Sequence, residues 1–135
     1  MEYHISESSQ FKIYNETDLH FKVIDFIRKY QPNAIIVPGL GENQKTAVMR
    51  YDSKCKGYQP GTCDILLLNR HNEFSGLAIE LTTPSGKGVV SDNQATFLDA
   101  LQENGFKKII SNNYEELIIQ FYEYFFKGFV QMQID

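Results

Sequence analysis

Two short apolar runs flank one polar turn, and they constrain this chain more than anything else in it. Residues 63–68 read CDILLL and residues 76–82 read GLAIELT, separated by the polar stretch NRHNEFS. Such a pattern predicts two antiparallel strands in a largely buried hairpin. Each run carries one acid. With the turn centred on Asn72, Asp64 and Glu80 are equidistant from the centre and oppose one another. Their side chains share a face, and Thr82 joins it by the two-residue period. Like charges opposed across a sheet are destabilising, and burying unpaired charge costs several kcal/mol or more. A divalent cation between the carboxylates offsets this cost, with Mg²⁺ the hard, oxygen-seeking choice. A shared proton is the other solution. In the competing register, shifted by one residue, one acid faces solvent.

The rest of the chain supplies the frame. Asn15 caps a predicted helix whose Leu19, Val23, Phe26, Ile27 and Tyr30 fall at helical spacing, and Pro32 ends it. Residues 34–37 (AIIV) read as a buried strand, and 38–62 as one long irregular stretch. Ser91 and Gln94 form a capping box, followed by the stripe Phe97, Leu98 and Leu101 and a stop at Gly105. Residues 107–111 make another strand, and 114–126 a last helix. The order α-β-β-β-α-β-α predicts an α/β fold, a mixed sheet flanked by helices. A length of 135 residues suits one domain, its first twelve residues loosely held.

Composition limits the function classes. No apolar run reaches the roughly 20 residues that cross a bilayer, and the first ten residues lack a signal-peptide pattern. An intracellular, cytoplasmic protein is expected. Cys55 and Cys63 are too few for a disulfide framework or a structural zinc site, and free thiols suit a reducing compartment. The net charge of −4 weighs against nucleic acid as partner. The distribution weighs the other way, because residues 44–57 hold Lys45, Arg50, Lys54 and Lys56 against Asp52 alone. Such a patch can contact phosphates, or it can be a solvated loop.

In combination, these residues resemble the VRR-NUC form of the PD-(D/E)XK nucleases. The resemblance runs through Glu16-Thr17-Asp18-Leu19-His20, then Gly61-Thr62-Cys63-Asp64, then Glu80-Leu81-Thr82. It continues in the glycine-containing segment Gly86-Lys87-Gly88 and in Ser91-Asp92-Asn93-Gln94. It covers nearly the whole chain, from about Glu16 to Phe126. It implies a Mg²⁺- or Mn²⁺-dependent endonuclease, a homodimer acting on branched or duplex DNA. Glu16, Asp64, Glu80 and the Leu81 carbonyl would ligate the metal, which would acidify a bound water and stabilise the transition state. Gln94 would stand near that site. Lys45, Arg50, Lys54, Lys56, Lys87 and Ser91 would contact DNA.

Two departures stand out. Cys63 replaces a proline that sets backbone shape. Thr82 replaces the lysine that stabilises charge developing on the phosphate, and Lys87 is the nearest cation to take over. Simpler roles compete for several residues. An acid such as Glu16 is favoured in any first helical turn. Ser91 and Gln94 are accounted for by capping alone, His20 by packing, and Pro38-Gly39-Leu40-Gly41 by a strand-exit turn. Two other functions fit the same residues: a nuclease fold that binds DNA or protein without turnover, and a metal-free hydrolase using Asp64 and Glu80 as acid and base.

Overall fold

Helix α1 spans Glu16–Tyr30 and begins where the Asn15 side chain accepts the Asp18 backbone N–H at 2.8 Å. The computed structural model describes residues 13–39, 46–84 and 89–134, so the expectations for the first twelve residues, Lys45 and Lys87 lie outside the described residues. After α1 come β1 (Ile36–Pro38), α2 (Ala47–Cys55), β2 (Ile65–Leu67) and β3 (Gly76–Leu81). Helix α3 (Asp92–Glu103), β4 (Phe106–Ser111) and α4 (Tyr114–Ile134) complete the order. The sheet order is β1-β2-β3-β4. The first two pairings are antiparallel. Ser75 donates to the Gly105 carbonyl and Thr82 to that of Ser111, so β3 and β4 advance together and pair in parallel. The α/β class with a mixed sheet and flanking helices is therefore realised.

The order expected from sequence lacks one element. Residues 47–55 form α2, within the stretch read as irregular. Thr46 caps it through the Met49 N–H at 3.1 Å, and the ion pair Asp52–Lys56 closes its last turn at 2.7 Å. No residue of α2 is buried. A helix that hides no apolar stripe leaves no periodic hydrophobic signal to read.

The chain forms two compact units. The first takes its described residues from Met1–Ala34, Leu81–Gly88 and Ile109–Asp135. Here Leu19, Val23, Phe26 and Ile27 of α1 are buried, as are Leu117, Ile118, Phe121 and Tyr124 of α4. Phe26 sets its ring edge-on to Phe121 at 5.6 Å and to Tyr114 at 6.5 Å. Each fully buried large apolar side chain contributes about 1.5–3 kcal/mol.

The second unit joins Ile35–Glu80 to Val89–Lys108. It holds the hairpin, which is tied at its tip. His71 and Phe74 exchange two backbone hydrogen bonds around Asn72, whose φ is +54°. Between this tip and the pair Leu67–Leu77, three residues (68–70) face two (75–76), which defines a β-bulge. Helix α3 lays Phe97, Leu98 and Leu101 against Cys63, Leu66 and Ala78. It ends at Gly105, whose φ of +90° supplies the left-handed stop. Among the described residues, no helix is long and apolar enough to cross a membrane.

Candidate active site

The hairpin pairs Ile65 with Ile79, Leu66 with Ala78 and Leu67 with Leu77. One step outward, the same register sets Asp64 against Glu80, so the slipped alternative does not hold. On the other side, the Asp64 carbonyl accepts the Gly39 N–H at 2.9 Å, which extends the β1–β2 ladder and fixes the Asp64 backbone. Glu80 is buried, 1% exposed, and Asp64 is half-buried. The strands themselves are shorter than the apolar runs. Asp64 sits just before β2, where the chain bends.

Strand alternation puts Glu80 on the face of Ala78, the face that α3 covers. The N-terminus of α3 therefore arrives beside the Glu80 carboxylate. Gln94 Nε2 donates to Glu80 Oε1 at 2.8 Å. The same side chain accepts the Ser91 N–H through its own oxygen at 2.8 Å, and Ser91 Oγ accepts the Gln94 N–H at 3.3 Å. Capping and a place beside the acids, two compatible roles for Gln94 at the level of sequence, are combined in one side-chain amide. Gly61 makes this approach feasible. Its φ is +86°, and a Cβ there would lie 2.3 Å from the Asn93 carbonyl carbon. The loop leading to Asp64 thus presses directly on the backbone of α3.

Cys63, next to Asp64 in the chain, packs against Ala78 and Leu98. It is fully buried, and its Sγ donates to the Ile65 carbonyl at 3.5 Å. Burial pushes its thiol up to about 12, reinforced by the negative charge of Glu80 and then of Asp64. Both carboxylates therefore lie within electrostatic reach of one buried thiol. Cys55, by contrast, ends α2 in solvent. One thiol closes a helix and the other leads into a strand. A thiol reagent at pH 8 should titrate Cys55 rapidly and Cys63 only after denaturation; two fast thiols would contradict the burial. The raised value also sets a sign. The thiol's contribution to stability is complete below its ordinary value of 9.0 and is lost as pH climbs toward about 12.

The other predicted site residues are distributed as follows. Glu16 opens α1, half-buried, and Leu81 closes β3, buried. Thr82 is half-buried, with its N–H donated to the Ser111 carbonyl at 3.1 Å. Arg50 and Lys54 are exposed on α2, and Lys56 pairs with Asp52 at the surface. His20 is half-buried in α1. Among the described residues, no group of three or more His, Cys, Asp or Glu side chains is placed as a cage that could hold a metal ion. Mg²⁺ rarely uses such cages, since it keeps several waters and binds through one or two carboxylates plus substrate phosphates. An opposed Asp and Glu fit that donor set.

Sequence reasoning missed the cationic helix α2 and the pressure of Gly61 on α3. The first left no periodic signal. The second is visible in sequence only as a glycine, because the atom it avoids is over thirty residues away.

Neither a protein-family model nor a curated protein matches the sequence. Among solved structures, a VRR_NUC domain protein superposes with a TM-score of 0.68 at 15% identity. The alignment covers 85% of this chain and 91% of that one. The chain has a VRR-NUC-like, nuclease-type α/β fold.

Proposed function

We propose that this chain is a Mg²⁺- or Mn²⁺-dependent endonuclease that hydrolyses phosphodiester bonds in branched or otherwise structured DNA. The reading is carried by one observation: the hairpin register opposes Asp64 to a buried Glu80 whose carboxylate is held by Gln94. Asp64 and Glu80 would hold the ion, water and substrate phosphate supplying further ligands; Glu16 and the Leu81 carbonyl are ligands by the family resemblance alone. When bound, a divalent ion supplies Lewis acidity toward the phosphate and a more acidic water. The protein's own part is positioning. Gln94 fixes the direction of the Glu80 carboxylate, and the Gly39 hydrogen bond fixes the Asp64 backbone. Burial of Glu80 lowers the local dielectric and strengthens each electrostatic contact. Ser91 at the α3 N-terminus, Lys45, Lys56 and Lys87 would meet DNA phosphates. Two copies of the chain, acting as a homodimer, would cut paired strands at a branch.

A second reading is a nuclease fold that binds DNA or a protein partner without turnover. Thr82 favours it, because threonine brings no positive charge where the resemblance implies lysine. Cleavage of junction, flap and duplex DNA separates the two readings. The natural chain should cut branched DNA in Mg²⁺ or Mn²⁺ and stop in EDTA. Thr82→Lys should raise the rate about 10²-fold. Cleavage by Thr82→Lys alone would establish the binding module, and cleavage by neither would remove the endonuclease reading. Activity that survives EDTA would point to Asp64 and Glu80 working as a metal-free acid–base pair.

A further inference from the structure

Helix α2 displays an aromatic ring to solvent at the apex of its outer face. Ser53 is the one residue of α2 that is not exposed, and it marks the inward side. At about 100° per residue, Tyr51 lies roughly 160° away from Ser53. Its side chain is 71% exposed. Lys54 lies about 60° to one side of Tyr51, and Arg50 follows along the same flank one turn back. Val48, 77% exposed, borders the other flank.

This face spends apolar surface on water and concentrates positive charge on a chain whose net charge is −4. Within residues 46–56 three cations stand against Asp52 alone. A flat ring beside cations on a helical ridge has the chemistry of a nucleotide platform. Bases stack on the ring, and the cations along its flank take the neighbouring phosphates. In an intact duplex the bases are stacked on one another, and their faces are out of reach of such a ring. Unpaired nucleotides offer the faces that Tyr51 can cover. Helix α2 also belongs to the same compact unit as Asp64 and Glu80.

We infer that α2 binds unpaired nucleotides of a DNA strand, with Tyr51 as the stacking platform and Arg50 and Lys54 as phosphate contacts. The inference rests on the nuclease reading and names the feature that would distinguish branched DNA from plain duplex.

Binding of the full chain to two fluorescent DNAs in EDTA tests it without cleavage: a duplex, and the same duplex bearing a single-stranded oligo-dT arm. Wild-type protein should prefer the armed DNA. Tyr51→Ala should weaken binding of the armed DNA about tenfold and leave the duplex unchanged, while Tyr51→Phe keeps wild-type affinity. Arg50→Ala with Lys54→Ala should weaken both DNAs and reduce the logarithmic salt slope by about 2. Tyr51 is exposed, so thermal melting of these variants should match wild type. Unchanged binding of the armed DNA by Tyr51→Ala overturns the inference, and so does an equal loss on both DNAs. Binding of neither DNA by the wild type also overturns it. The nuclease reading is judged separately, by wild-type cleavage in Mg²⁺.

Discussion

Asp64→Asn and Glu80→Gln should each lower metal-dependent cleavage by about 10³-fold while leaving the chain folded. The magnitude follows from the several kcal/mol that a divalent ion contributes at a phosphoryl centre, at about 1.4 kcal/mol per tenfold. Both substitutions keep side-chain shape, and in Glu80→Gln the new amide oxygen can still accept from Gln94. The same variants should therefore melt no lower than wild type in EDTA. Each removes one of two like charges facing across neighbouring strands, so a rise of a few degrees is the expected direction. In Mg²⁺ the order should reverse, because only the wild type gains stability from the ion. Full cleavage by either variant would dissolve the assignment of these carboxylates. Equal melting shifts with Mg²⁺ in all three proteins would place the ion elsewhere.

The second large effect is structural. Gly61→Ala meets two obstacles: a left-handed backbone, at about 1–2 kcal/mol, and a methyl group 2.3 Å from the Asn93 carbonyl carbon. Overpacking of that kind costs about 1–3 kcal/mol more. A combined loss of about 3–4 kcal/mol corresponds to roughly 10 °C in melting temperature for a chain of this size. Cleavage should fall further than stability alone explains, because the displaced segment of α3 carries Gln94. Gly57 is the internal control. Its φ is +102°, yet a Cβ there meets nothing within 4 Å. Gly57→Ala should show only the backbone part. If the two alanines cost the same, the contact between Gly61 and α3 has no energetic weight.

The parts of this molecule that were legible in its sequence are those where burial writes a period into the residues. The stripes of α1 and α3 bury apolar side chains at helical intervals, the two apolar runs of the hairpin are buried together, and each forms where expected. The opposition of Asp64 and Glu80 follows in sequence from centring the turn on Asn72; the tip is centred between Asn72 and Glu73 instead, and the bulge restores the pairing. What could not be read depends on distant neighbours or on none. Helix α2 is stabilised by its cap and by local ion pairing, with nothing buried to give it away. The touch of Gly61 on Asn93 belongs to the tertiary structure alone. Strand β2 also begins later than its apolar run, because the chain bends at Asp64.

The bulge beneath the hairpin tip has a reach beyond its own residues. The tip, tied between His71 and Phe74, would by itself align residue 64 with residue 81, an acid with a leucine. The unmatched residue among 68–70 takes up that offset, and acid meets acid. The two arms of the ribbon therefore tolerate a change of length unequally. A residue lost from the longer arm evens the count and leaves the carboxylates facing. One lost from the shorter arm slides them past each other, although every reacting group stays in the chain.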